Sequence, residues 1–152
     1  MTEAELRDLL TEYLGLLQRH PSAEEMMEAV LTDDFETGFE GGVTWTGLDG
    51  LSDFLSQREG FFDENHDVKD VLAMAEGPEG EVRARTRLEF FLRRWESPSP
   101  TSDEFTGSCF HHWRVLKAPD RWRVAAQIVE RFEDLNDNAK RLFATPDEGL
   151  NR

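Results

Sequence analysis

The stretch from Val82 to Trp95 constrains the fold of this chain more than any other. Val82, Ala84, Thr86, Leu88, Phe90 and Leu92 share one parity; Arg83, Arg85, Arg87, Glu89 and Arg93 share the other. A period of two belongs to a β-strand, whose successive side chains point to opposite faces of a sheet. A helix built on these residues would scatter arginine around its whole circumference. The chain must therefore contain a long strand that is apolar on one face and charged on the other. Something must cover the apolar face.

Strand texture continues on both sides of this segment. A third strand is predicted from His66 to Ala75, closed by the turn Gly77-Pro78-Glu79-Gly80. A fifth runs from Phe105 to Leu116 and a sixth from Trp122 to Phe132, with Ala118-Pro119-Asp120 as the turn between them. Earlier in the chain, Phe35–Glu40 and Val43–Thr46 read as a hairpin over Gly41-Gly42. Gly60 to Glu64 reads as an irregular connection.

The cover comes from helices. Thr2-x-x-Glu5 is a capping box, and Leu6, Leu9, Leu10, Tyr13, Leu14 and Leu17 form one helical stripe after it. Ser22-x-x-Glu25 opens a second, short helix with Met26, Met27, Val30 and Leu31 as its face. Gly47 to Gly50 leads into a third, which buries Leu51, Phe54 and Leu55. The order α-α-β-β-α-β-β-β-β is that of an α+β domain at residues 1–135, followed by a polar tail at 136–152 with a short helix. A long helix across a strongly curved antiparallel sheet leaves a cone-shaped interior open at one end, a setting for a pocket.

Charge narrows the partners. The chain of 152 residues carries 32 acidic against 17 basic groups, a net charge of −15. Such a surface repels phosphate backbones and anionic lipids, so neither nucleic acid nor membrane is an expected partner. No apolar run reaches the length of a membrane span. The start MTEAELRDLL has neither the basic end nor the apolar core of a signal peptide, which leads to the expectation of a cytoplasmic protein. The single cysteine, Cys109, leaves no intrachain disulfide and no cysteine framework for a metal.

Several short pieces, in this order and spacing, carry a family resemblance: Leu31-Thr32-Asp33-Asp34-Phe35, Gly47-Leu48-Asp49-Gly50-Leu51, His66 at a strand start, and Trp122-Arg123-Val124. Over residues 2 to 135 the chain resembles the nuclear-transport-factor-2-like superfamily, and within it the SnoaL-like polyketide cyclases. The resemblance implies a cystatin-like cone. The superfamily includes ketosteroid isomerases, scytalone dehydratase, limonene epoxide hydrolases and non-catalytic proteins, so fold does not fix function. A second likeness, through Leu88 to Arg94 and Trp122 to Phe143, is to the small subunits of ring-hydroxylating dioxygenases, which are mainly scaffold.

Four residues are candidates for chemistry. A neutral imidazole at His66 suits proton abstraction next to a carbonyl, the role the resemblance implies for it. His111 and His112 are strand neighbours and face opposite sides; His111 falls where the isomerases carry a proton-donating aspartate, so the resemblance implies that Cys109, His111 and Trp113 take the cavity side, where His111 is suited to donate a hydrogen bond to a developing oxyanion. Tyr13 falls where the isomerases have an oxyanion-binding tyrosine, but Phe39 stands where they have their catalytic aspartate. Asp70, four residues after His66, shares its face if the strand is regular and turns outward if a bulge intervenes. Phe35, Phe39, Phe54, Phe90, Cys109, Trp113 and Ile128 complete the predicted lining. His66, Asp70, His111 and His112 lack metal-ligand spacing, so no metal and no cofactor is expected.

Two functions follow. One is a cofactor-free dehydratase, isomerase or cyclase acting on a small hydrophobic carbonyl or hydroxyl compound. The other is a non-catalytic binding or structural subunit, with an oxygenase large subunit as its partner. The arginine face of the fourth strand is the expected homodimer surface, either ion-paired or, less simply, a site for an anion.

Overall fold

The computed structural model describes residues 1–143. Four helices and six strands follow one another as α1 (Glu3–Gln18), α2 (Ala23–Ala29), β1 (Leu31–Phe39), β2 (Thr44–Thr46), α3 (Gly47–Gln57), β3 (Phe61–Glu76), β4 (Glu81–Arg94), β5 (Asp103–Lys117), β6 (Trp122–Glu133) and α4 (Asp137–Phe143). This is an α+β fold. The strands form one open sheet in the order β2-β1-β6-β5-β4-β3. All neighbours are antiparallel except β1 and β6, which run parallel. The sheet is therefore mixed, a detail that alternation alone does not reveal.

Helix α1 forms as its cap and stripe dictate. The Glu5 amide donates to Thr2 Oγ1 at 3.1 Å, and the Thr2 amide donates to Glu5 Oε1 at 2.9 Å. Every residue of the predicted stripe is buried against the sheet. Each such leucine contributes roughly 2 kcal/mol through removal from water. The start of α2 is simpler than its sequence promised. Ser22 Oγ accepts from the Glu25 amide at 3.1 Å, but Glu25 returns its side chain to the Ser22 hydroxyl instead of the backbone. Leu31 opens β1 and is not part of the α2 face.

Strand β3 begins at Phe61, so the segment predicted as irregular is strand beyond Gly60. Its pairing with β4 slips between Phe62 and Asn65, between Val68 and Asp70, and between Val71 and Ala73. The β5–β6 pair slips between Phe110 and His111 and between Arg114 and Val115. Each bulge adds bend and twist, and together they curl the sheet around α1. In contrast, β4 and β5 pair without a slip from Glu81↔Leu116 to Arg94↔Asp103. That regular pair carries the inward row Ala84, Thr86, Leu88, Phe90 and, opposite, Trp113, His111 and Cys109.

The outer face of β4 is ion-paired. Arg85 grips both carboxylate oxygens of Glu130 at 2.7 and 2.8 Å. Arg87 reaches Asp70, Arg93 reaches Asp63 and Glu104, and Arg83 and Arg114 share Glu81. No helix among the described residues is long and apolar enough to cross a membrane.

Candidate active site

A cavity of about 110 Å³ opens between α1, α3, α4 and the concave side of the sheet. This is the scale of a space that takes one aromatic ring (roughly 150 Å³). Leucines and phenylalanines make most of its wall. His66, His111, Gln127, Thr37, Arg58 and Cys109 supply the polar part.

Strand parity delivers His111. It pairs with Thr86 on β4, whose inward row it joins, and the residue is 4% exposed. Gln127 on β6 fixes its ring. The Tyr13 and Thr37 hydroxyls both donate to Gln127 Oε1 at 3.0 Å, which turns the amide nitrogen toward His111 Nε2 at 2.9 Å. In the neutral ring Nε2 then accepts and Nδ1 carries the proton. Nδ1 is buried without a hydrogen-bond partner. Burial first, then the neighbouring His112, holds the imidazole to about 3, so it stays neutral near pH 7.

His66 is held the opposite way round. Gln18 Oε1 accepts from the His66 amide at 2.9 Å and lies 3.2 Å from His66 Nδ1. A carboxamide oxygen only accepts, so Nδ1 is the protonated nitrogen and Nε2 keeps a bare lone pair. Burial first, then the positive charge of Arg58, lowers this imidazole to about 3 as well. One cavity is thus lined by two neutral imidazoles, with no partner on His66 Nε2 and none on the buried His111 Nδ1.

The other sequence candidates fall in different places. Phe39, Phe54, Phe90 and Cys109 line the cavity. Burial pushes the Cys109 thiol far up, which keeps it protonated beside His111 Nε2 at 3.7 Å. Tyr13 is fully buried behind the wall, its hydroxyl already donated to Gln127, so it orients the amide and does not face a ligand. Phe35 and Trp113 also lie behind the wall: Phe35 packs on Tyr13 at 6.0 Å, and Trp113 Nε1 donates to Thr86 at 2.8 Å. Ile128 pairs with His112 on the outer face, and its neighbours Gln127 and Val129 take the inward positions. Asp70 is outside too. The bulge after Val68 reverses its parity, and it meets Arg87 at 3.6 Å.

Four polar residues of the site went unnoticed in the sequence. Arg58 continues the buried stripe of α3, seven residues after Leu51 and four after Phe54, a signal that was available. Gln127 shares parity with Val129 but also with Arg123 and Arg131, so alternation did not mark it as inward. Thr37 and Gln18 carried no comparable signal. On the outer face Glu40, His112 and Glu130 also gather their ligand atoms within 4.8 Å. Arg85 occupies both Glu130 oxygens, so this group is an ion-pair network.

A family model described as the SnoaL-like domain matches residues 2–127. The chain belongs to the SnoaL-like domain family. No curated protein matches it significantly. Among solved structures it is similar to a provisionally named scytalone dehydratase from Novosphingobium aromaticivorans DSM 12444, with 17% identity, a TM-score of 0.71, and 88% of this chain and 85% of that one covered. It is similar to ActVI-ORFA from Streptomyces coelicolor at 15% identity and a TM-score of 0.64, over 86% and 96% of the two chains. A nuclear-transport-factor-2-like protein with a cystatin-like fold, from Novosphingobium aromaticivorans, matches at 18% identity and a TM-score of 0.59, over 92% and 87%. Likenesses this distant establish the fold of the SnoaL-like domain and leave its chemistry to the residues above.

Proposed function

We propose that this SnoaL-like domain is a cofactor-free acid–base enzyme that dehydrates, isomerises or cyclises a small hydrophobic carbonyl or hydroxyl compound. The observation that carries the proposal is the pair of imidazoles with opposite free nitrogens in one apolar cavity. His66 Nε2 takes a proton from the carbon next to a carbonyl, and the C–H electron pair moves into a new C=C bond. His111 Nδ1–H donates to the carbonyl oxygen as charge develops there. The proton on His66 then returns, either to a departing hydroxyl, which leaves as water, or to another carbon. The name of the scytalone dehydratase neighbour is consistent with a dehydration of this kind.

Deuterium exchange tests the proposal without knowledge of the natural substrate. Small aryl ketones and β-hydroxy aryl ketones in D2O are expected to exchange the proton next to the carbonyl when the protein is added. His66→Ala is expected to slow exchange by a factor of about 10² to 10⁴, and His111→Ala by about 10². Unchanged rates in both variants would rule the mechanism out.

Exposed Phe62 and Leu72 on the edge strand β3 support a second reading, in which the outer sheet face is an association surface for a second copy or an oxygenase large subunit. Sedimentation equilibrium of the chain, alone and with such a subunit, decides it; a monomer under both conditions counts against it.

A further inference from the structure

Within the cavity wall, Arg58 alone among the described residues carries a permanent charge. It caps the C-terminus of α3 and is 7% exposed. Nη1 donates to the Leu17 carbonyl oxygen at 3.3 Å and Nη2 donates to Glu64, whose side chain is fully buried. Nε has no acceptor among the described residues, so the guanidinium retains donors for a ligand. Glu64 is itself divided. Its Oε2 lies 2.6 Å from His20 Nε2, close enough for an ion pair though not aligned as a hydrogen bond. One carboxylate therefore serves two basic groups. Elsewhere in the wall, Phe132 and Phe143 stack at 4.6 Å and 21°, and Phe90 stands edge-on to both at 6.2 and 5.8 Å. The cavity has a cationic element and an aromatic one.

We infer that the substrate carries an anionic oxygen, a carboxylate or a phenolate, on an apolar ring-sized body, and that Arg58 binds that oxygen. This rests on the acid–base proposal and specifies its substrate class. It also resolves a difficulty in that proposal. Arg58, although partly offset by Glu64, lowers the basicity of His66 and so slows proton abstraction from carbon. An anion seated on Arg58 cancels the field of the guanidinium and places negative charge near His66, and both changes raise its basicity. An anionic substrate therefore strengthens its own base, and a neutral one of the same shape reacts through the weaker one.

Calorimetry on the full chain tests this with benzoate, para-nitrophenolate at alkaline pH, and neutral benzamide. At least one anion is expected to bind about tenfold or more tightly than benzamide, and the stronger of the two identifies the source of the oxygen. Arg58→Lys keeps the preference, because the charge remains. Arg58→Met combined with Glu64→Leu removes both buried charges together and abolishes the preference for an anion over benzamide. The wild type alone supplies a second readout: the His66 ring resonance titrates at higher pH when the anion saturates the site. Equal affinity for all three compounds, including no measurable binding of any, overturns the inference. So does an unmoved His66 titration, or an anion preference that survives the double substitution. Failure here is separable from failure of the acid–base proposal. Anion preference without deuterium exchange sinks only the catalysis, and exchange on neutral ketones without anion preference sinks only the substrate class.

Discussion

Gln127 Nε2 lies 2.9 Å from His111 Nε2, and this contact decides which nitrogen of the imidazole keeps its proton. The amide cannot rotate freely, because its oxygen already takes two hydroxyl donors, from Tyr13 on α1 and Thr37 on β1. Three elements thereby set the tautomer of a residue on a fourth.

Replacement of Gln127 by Leu leaves the Tyr13 and Thr37 hydroxyls without their acceptor and His111 Nε2 with only the weak Cys109 thiol. Each orphaned buried group costs about 1–3 kcal/mol, and relaxation of the hydroxyl rotors recovers part of the sum. The expected loss of stability is roughly 2–4 kcal/mol, read as a lower urea midpoint at unchanged slope. Nitrogen NMR of the wild type is expected to show His111 protonated at Nδ1. A neutral substitution would contradict the network.

Both cavity imidazoles are held to about 3 by burial, with Arg58 assisting at His66 and His112 at His111. In the unfolded chain each returns to about 6.5. Below that pH the unfolded state binds protons that the native state refuses, so stability falls as pH drops from about 6.5 toward 3. The slope is up to about 1.4 kcal/mol per pH unit for each ring. Above about pH 7 neither ring contributes a slope. The His66 and His111 ring resonances of the ligand-free protein are expected to stay flat across roughly pH 5–8; a midpoint near 6.5 in either would mean that its ring is solvated.

Asp70→Asn is expected to change little. The side chain is 54% exposed and sits 3.6 Å from Arg87, a solvent-screened pair. Stability should stay within about 0.5 kcal/mol of the parent, and deuterium exchange should be unaffected. A large loss of exchange would return Asp70 to the cavity and refute the bulge after Val68.

What the sequence could and could not convey follows from the sheet. His111 was legible because β4 and β5 run in strict register, so even and odd positions keep their faces over the whole pair. Asp70 was not, since a bulge leaves no mark in the pattern of apolar residues and inverts the faces until the next slip, here between Val71 and Ala73. Ile128 failed for a related reason: parity in β6 is set by its pairing with β5, which slips twice. Tyr13 was placed correctly on the buried stripe of α1, but only tertiary packing reveals that its hydroxyl ends on Gln127. His66 was found at the right strand, five residues inside its start, because Gly60 and the left-handed Asp63 imitate a loop.

Gly38 makes the sharpest backbone prediction. It lines the cavity from β1, with φ of 147°, and pairs with Thr44 on one side and Ile128 on the other. A Cβ there would stand 2.2 Å from the Val43 carbonyl oxygen and 2.7 Å from Thr44 Cα, both backbone atoms that cannot swing away. Gly41 in the adjoining turn provides the control, for it also has positive φ, of 73°, but its Cβ would meet nothing within 4 Å. Gly41→Ala therefore tests conformational cost alone, roughly 1–2 kcal/mol. Gly38→Ala adds a clash that only movement of the β1–β2 hairpin relieves, for a total of about 3–5 kcal/mol. Thermal denaturation of the two variants separates the terms. Equal losses would mean that the hairpin yields freely and that this edge of the cavity is not held by close backbone contact.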